Sequence, residues 1–159
     1  IAKHPIHPML VAVPIGLWVF SLVADLIGLA GWSPEIWHDV AFYTMAGGVV
    51  GALLAAIPGF IDFFSITDPN VRRLGVYHMA VNLTAVAVFI VNLYLRWDSL
   101  GGAIFPIVLS VFGVALLAVA GWLGGELVYV HGMGVEQKSG VRSGPEQRVA
   151  GPRKLRRIG

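Results

Sequence analysis

Imidazole side chains are the first candidates for chemistry in this chain of 159 residues. His7 precedes the first long apolar segment, His78 lies in the third, and His131 follows the fourth. Asp62 and Glu126 lie near the ends of the second and fourth segments. If successive segments cross a membrane in opposite directions, these five side chains reach the same depth. Imidazole ligates haem iron and several divalent metal ions, so this depth is the candidate functional site.

Two histidines on different helices at one depth can bind a haem b from both sides. We predict His78 and His131 as its axial ligands, with His7 as the substitute for either. Arg72 and Arg73, just before the third segment, would contact the propionates. A non-haem divalent metal would instead use imidazoles and carboxylates together. The candidate metal ligands are His7, His78, His131, Asp62 and Glu126.

The same residues also allow a reading without any cofactor. Asp62 would pair with Arg72 or Arg73, and Glu126 with His78 or His131, so that the polar groups hold helices together. In a haem site the two carboxylates would instead orient the imidazoles. No specific metal motif decides between these alternatives, because the chain has no H-E-x-x-H and no C-x-x-C-H.

One helical face of the third segment combines polar and apolar residues. Its members recur at helical spacing and are predicted to face the interior of a bundle. They are His78, Asn82, Ala85, Phe89 and Asn92. His38 and Asp39, with Asp25 near them, are predicted to lie at the opposite membrane interface.

The composition indicates a membrane protein. Hydrophobic residues make up 57% of the chain and charged residues 13%, whereas soluble domains are about 25% charged. The mean hydropathy is +0.77. The chain has no cysteine, which excludes disulfides, thiolate metal sites and iron–sulfur clusters held by its own side chains. No nucleophile–base–acid set points to a hydrolase, and no enzymatic activity of its own is predicted.

Four segments are long and apolar enough to span a bilayer. They cover about residues 8–30, 38–64, 74–96 and 103–130. The short connections contain Pro34, Pro69 and paired glycines, which favour loops. We therefore predict an all-α, integral membrane four-helix bundle with up-down-up-down topology, formed by residues 1–136.

The distribution of basic residues predicts the orientation. Lys3, Arg72, Arg73 and the tail share one side, and only Arg96 is counted on the other. Since positive loops stay in the cytoplasm, both termini are predicted to be cytoplasmic. Trp32, Trp37 and Trp97 then form an outer aromatic belt.

Small residues recur every four positions in two of the segments. Pro14 and Pro58 lie within the first and second segments and are predicted to kink their helices. The small residues indicate close helix packing. They are Gly47, Gly51, Ala55 and Gly59 in the second segment, and Gly121 and Gly125 in the fourth.

Residues 137–159 form a basic, Gly- and Pro-rich tail that ends in RKLRRIG. Its composition is typical of disorder, and its charge suits anionic headgroups or a neighbouring subunit. No nucleic-acid partner is predicted. The expected partners are the lipid bilayer and other membrane subunits, the latter contacted partly by this tail.

Four stretches resemble a bacterial family of small four-helix membrane proteins catalogued as a domain of unknown function. They read HPIHPMLVAVPIGLW, IPGFIDF, HMAVN and GWLGGELVYVHGMGV, and they fall in order within residues 4–135. The motif residues in this chain are His4, His7, Asp62, His78, Asn82, Glu126, His131 and Gly132. Some members of the family are linked to Rieske iron–sulfur modules, which implies redox work at a membrane.

These observations predict a haem b-binding membrane subunit that transfers electrons within or near a larger respiratory or photosynthetic complex. The expected location is a bacterial cytoplasmic (inner) membrane, crossed several times. One alternative is an accessory or scaffold subunit without a cofactor. Another is a membrane protein that binds or transports a divalent metal.

Overall fold

The computed structural model describes residues 6–97 and 104–133, which form four helices and no strand. Helix α1 covers Ile6–Leu29, α2 Pro34–Phe64, α3 Pro69–Trp97 and α4 Ile104–Gly125, and a π-helical turn at Glu126–Val130 continues α4. All four are long and apolar enough to cross a membrane. The predicted all-α four-helix membrane fold is confirmed.

Helices α2 and α3 begin a full turn or more before their predicted starts, and both begin at a proline. Pro34 and Pro69 are the first residues of α2 and α3, although the sequence assigned both to loops. Proline suits the first helical turn because its missing N–H would have no partner there. Asp68 caps α3, since its Oδ1 accepts hydrogen bonds from the backbone N–H groups of Asn70 at 2.8 Å and Val71 at 3.1 Å.

Contacts between the helices establish their directions. The start of α1 meets the end of α2, because His7 bonds the carbonyl of Ala55, and Ser21 further along α1 bonds that of Ala41. The ends of α1 and α3 meet through Asp25 and Arg96. Helices α1 and α3 therefore run parallel, and each packs mainly against the next helix along the chain. The bundle consists of two helix hairpins, α1–α2 and α3–α4.

The two ends of the bundle differ in character. We call the end where α1 begins the His7 end, and the end where α1 stops the Arg96 end. The predicted cytoplasmic placement of the His7 end stays a prediction. Residues 1–5 and 134–159, with His4, Lys3 and the basic tail, lie outside the described residues.

The centre of the bundle is a stacked aromatic pair. Trp18 of α1 and Phe89 of α3 lie with ring centroids 4.1 Å apart and planes 10° apart. Both are buried, and Met45, Ala85 and Leu117 complete the cluster around them. The indole N–H of Trp18 donates to the carbonyl of Met45 at 3.2 Å, so its polar atom is satisfied inside the bundle.

Glycines let these rings reach the neighbouring helices. A Cβ at Gly113 would lie 2.6 Å from the ring of Phe89, and one at Gly48 would collide with the indole of Trp18. The predicted close packing at Gly51 is observed against Pro14. At Gly121 the expectation differs from the structure, because a Cβ there would have no atom within 4 Å and this face of α4 points away from the other helices.

Candidate functional site

Two histidines meet at the His7 end of the bundle. His7 comes from the first turn of α1 and His78 from α3, and their ring centroids are 6.5 Å apart with planes at 89°. Both residues are half-buried. The predicted meeting of imidazoles from different helices therefore occurs for this pair.

Each of the two imidazoles is held by a backbone carbonyl of the next helix. His7 Nδ1 lies 2.9 Å from the carbonyl oxygen of Ala55, and His78 Nδ1 lies 3.0 Å from that of Ala120. A carbonyl oxygen only accepts, so the proton of each bond is on Nδ1. In the neutral imidazole Nε2 then keeps its lone pair, which is the arrangement that metal-ligating histidines use.

Glycines one turn beyond these carbonyls make room for the rings. A Cβ at Gly59 would lie 2.8 Å from the ring of His7, and a Cβ at Gly124 would lie 3.0 Å from that of His78. Any larger residue at either position would displace the imidazole from its carbonyl. The small-residue spacing that the sequence shows in α2 therefore serves the site as well as helix packing.

Asn82 completes the surroundings of His78. Its amide Nδ2 lies 3.2 Å from His78 Nε2 and donates to the His78 carbonyl at 2.8 Å. The first contact is consistent with a proton on Nδ1 of His78 and none on Nε2. No hydrogen bond joins His7 Nε2 to another described residue.

The other predicted site residues do not join this pair. Asp62, Arg72 and Arg73 are exposed, and the guanidinium carbon of Arg72 lies 5.8 Å from the ring centre of Phe63. Across residues 6–97 and 104–133, no group of three or more histidine and acidic side chains could hold a metal ion. The expected five-residue set is therefore reduced to two imidazoles.

Glu126 and His131 lie at the two ends of the π-helical turn. Glu126 is half-buried and His131 is exposed. Their link is through the backbone, where the N–H of His131 donates to the carbonyl of Glu126 at 3.3 Å. The hypothesis that the Glu126 side chain pairs with an imidazole has no support among the described residues, where the one ion pair is elsewhere.

That ion pair lies at the Arg96 end and is buried inside the bundle. Arg96 donates to Asp25 through Nη1 at 2.7 Å and Nη2 at 2.6 Å. Arg96 is 5% exposed and Asp25 6%. This geometry corrects two predictions from the sequence, namely that Arg96 is a loop cation and that Asp25 lies near an interface.

Two further buried side chains, Asn92 and Ser110, accept the remaining hydrogen bonds of the Arg96 guanidinium. Arg96 Nε donates to Asn92 Oδ1 at 3.1 Å, and Asn92 Nδ2 donates to the Pro106 carbonyl and to Ser110 Oγ, both at 2.9 Å. No buried side-chain nitrogen or oxygen of the described residues lacks a partner. His38 and Asp39 are exposed at this end and belong to none of these bonds.

A signal for this network was present in the sequence. The interior face of α3 was predicted to contain His78, Asn82, Ala85, Phe89 and Asn92, and the last three are buried as expected. One further helical turn along that face is Arg96. Extending the face by four residues would have moved Arg96 from the loop into the bundle.

The arrangement can do two different things. At the Arg96 end, the opposite charges of Asp25 and Arg96 neutralise one another, and their hydrogen bonds within the bundle leave no donor or acceptor for a ligand. At the His7 end, two imidazoles from different helices lie with ring centroids 6.5 Å apart, and a backbone carbonyl fixes the orientation of each through Nδ1.

Comparison with known proteins places the chain in a family. Residues 3–137 match the family model described as "Predicted membrane protein (DUF2231)". No curated protein and no solved structure matches the chain. With four apolar helices and a family match over nearly the whole length of the bundle, the chain is a multi-pass membrane protein that belongs to the DUF2231 family.

Proposed function

We propose that the protein is a haem b-binding membrane subunit that transfers electrons, with His7 and His78 as the axial ligands. The observation that carries this proposal is the pair of imidazoles at the His7 end, each oriented by a carbonyl of another helix. The pair differs from the one expected from the sequence, since His131 is exposed and His7 takes its place.

The number of available ligands favours haem over a bare divalent ion. A structural zinc site takes four protein ligands, and a catalytic one takes three. A porphyrin already supplies four nitrogens, so its iron needs only two axial side chains. Among the described residues two imidazoles meet and no third ligand joins them.

The two imidazoles are close enough for both to hold one group. Their ring centroids lie 6.5 Å apart, with the planes at 89°. Asn82 would have to release His78 Nε2, and its amide retains the His78 carbonyl as acceptor.

In this proposal each of the named residues has a separate role. The carbonyls of Ala55 and Ala120 hold the two imidazoles through Nδ1 and leave Nε2 as the ligating nitrogen. Arg72 and Arg73, exposed near the start of α3, would neutralise propionates. Bound haem would supply a one-electron redox couple. The location proposed is a bacterial inner membrane with both termini cytoplasmic, next to a larger respiratory or photosynthetic complex.

The test is the optical spectrum of the full chain purified from cells supplied with a haem precursor. The expected result is a Soret band at about one haem per chain. It should be lost in His7→Ala and His78→Ala and retained in His131→Ala and His38→Ala. Protein that stays colourless after haem is added back, or that loses its haem in His131→Ala alone, would falsify the assignment.

A scaffold subunit without a cofactor is the second candidate, and one observation favours it. The Nδ1 bonds of both histidines already link the two helices of each hairpin, as polar contacts within a membrane bundle do. This reading expects His7→Gln and His78→Gln to weaken binding to neighbouring subunits in a membrane pull-down. It also expects no optical difference between these variants and the wild type.

A further inference from the structure

The interiors of α1 and α3 carry corresponding residues at identical spacing. Four positions of α1 recur in α3 after a shift of 71 residues, and each pair lies inside the bundle. The pairs are His7 and His78, Trp18 and Phe89, Ser21 and Asn92, and Asp25 and Arg96. Helices α2 and α4 correspond in the same way after a shift of 65 residues. Those pairs are Ala41 and Pro106, Gly48 and Gly113, Ala55 and Ala120, and Gly59 and Gly124.

Corresponding residues make corresponding hydrogen bonds. The bond from His7 Nδ1 to Ala55 recurs as the bond from His78 Nδ1 to Ala120, at 2.9 and 3.0 Å. Towards the other end of the bundle, Ser21 Oγ donates to the Ala41 carbonyl at 2.7 Å. The matching bond of the second hairpin runs from Asn92 Nδ2 to the Pro106 carbonyl at 2.9 Å.

The glycines correspond as well. Gly48 faces the ring of Trp18 as Gly113 faces that of Phe89, and Gly59 faces His7 as Gly124 faces His78. The same three contacts therefore occur in the same order along each hairpin. An imidazole is hydrogen-bonded to a carbonyl, an aromatic ring packs against a glycine, and a polar side chain donates to a second carbonyl.

Corresponding residues of the two hairpins also touch each other. The imidazole rings of His7 and His78 are 6.5 Å apart, Trp18 stacks on Phe89 at 4.1 Å, and Asp25 pairs with Arg96 at 2.6 Å. A residue that contacts its own equivalent lies on a two-fold axis. Because α1 and α3 are parallel, this axis runs along the bundle and hence along the membrane normal, as in transporters built from parallel repeats.

We propose that the chain is a fused pair of equivalent helix hairpins, and that Asp25 and Arg96 make each hairpin specific for the other. Two identical hairpins on this axis would bring carboxylate against carboxylate or guanidinium against guanidinium in a buried site. Such a contact is strongly unfavourable, whereas the unlike pair forms a two-pronged salt bridge. Opposite charge at one equivalent position thus excludes like-with-like pairing. This proposal does not depend on whether haem binds.

The first experiment exchanges the charges in the full chain. Asp25→Arg and Arg96→Asp each create a like-charged pair on the axis, and each should lower the Tm in detergent by about 10 °C or abolish membrane accumulation. The double variant D25R/R96D should recover at least half of the lost Tm or yield. Asp39→Arg, which adds the same charge at an exposed position of the same end, should leave both unchanged.

The second experiment separates two-fold equivalence from simple charge attraction. In the native chain Arg96 donates hydrogen bonds to Asn92 and Ser110, whose equivalents in the first hairpin are Ser21 and Met45. Exchanging these partners together with the charges moves the whole network to the other hairpin. The six substitutions are S21N, D25R, M45S, N92S, R96D and S110M.

Equivalent hairpins predict that this six-position variant is more stable than D25R/R96D, with a Tm within about 5 °C of the wild type. If the six substitutions give a Tm no higher than the two charge substitutions, the hairpins are not equivalent and the proposal is overturned. If D25R/R96D recovers nothing, the pair does not specify the pairing.

Discussion

The polar groups at the two ends of the bundle differ in how completely their hydrogen bonds are satisfied. At the Arg96 end, a carboxylate and a guanidinium are buried, and every buried side-chain nitrogen and oxygen of the described residues there has a partner. At the His7 end, two half-buried imidazoles are each tied to another helix through Nδ1, and Nε2 of His78 also contacts the Asn82 amide of its own helix. Sealed polar groups indicate a structural duty, since they offer nothing to a ligand. Oriented imidazoles that keep a lone pair on Nε2 indicate a ligand-binding site. The difference separates architecture from candidate function within one bundle.

The largest effect is expected from breaking the sealed end. Arg96→Leu leaves Asp25 without its partner, and Asp25→Leu does the same to Arg96, so each should cost about 3–5 kcal/mol in the free energy of unfolding. The double variant D25L/R96L buries no charge and should be far closer to the wild type. Reversible unfolding in micelles measures all three. A double variant as unstable as the two single variants combined would mean that the pair stabilises the fold outright.

The next effect tests the packing between the two ends. Gly113→Ala puts a Cβ 2.6 Å from the ring of Phe89, which cannot retreat because it is stacked on Trp18. We expect a loss of about 1–3 kcal/mol. Gly121→Ala is the matched control in the same helix, because nothing lies within 4 Å of it. The control should be neutral or slightly stabilising, since alanine favours helix. Equal losses for both would show that Phe89 does not constrain α4.

A smaller change in stability is expected at the His7 end. His78→Ala removes the hydrogen bond to the Ala120 carbonyl and the contact of Nε2 with the Asn82 amide, so it should cost only about 1–2 kcal/mol. His38→Ala is the exposed control. The same measurement on Asp25→Leu gives the contrast between the ends. A loss at His78 as large as that at Asp25 would make the imidazoles structural and favour the scaffold hypothesis.

The smallest effect is expected from Trp18→Phe. This change makes the central stack symmetric, with phenylalanine on both helices, and removes the bond from the indole N–H to the Met45 carbonyl. We expect a loss of about 1 kcal/mol or less, because most of the ring contact remains. Near-ultraviolet circular dichroism together with the unfolding curve measures it. A loss of stability larger than that of Gly113→Ala would mean that this hydrogen bond, and not the ring contact, contributes most of the stability of the central cluster.

The fold was predictable because hydropathy alone marks helices that cross a bilayer. The interior face of α3 was also predictable, since Ala85, Phe89 and Asn92 recur at helical spacing and are buried. The starts of α2 and α3 were not, because a proline before an apolar run suits both a loop and a first helical turn. Capping contacts such as that of Asp68 distinguish the two only in three dimensions.

The sequence allowed the membrane depth of the site residues to be predicted, but not the direction in which their side chains point. Topology brings His7, His78 and Asp62 to one level of the membrane, but depth does not state which way a side chain points around its helix. Asp62 is exposed, and only the two imidazoles converge. Near Glu126 the chain enters a π-helical turn, which changes the rotation per residue and defeats any prediction from α-helical spacing.

The spacing of the buried ion pair along the chain affects how the protein is made. Asp25 and Arg96 are separated by 71 residues. At about 5–20 residues per second, synthesis delivers the guanidinium roughly 4–14 s after the carboxylate. During this interval the first hairpin carries an uncompensated acid at membrane depth. The nascent α1–α2 unit must therefore hold this acid without its partner until α3 arrives to complete the ion pair.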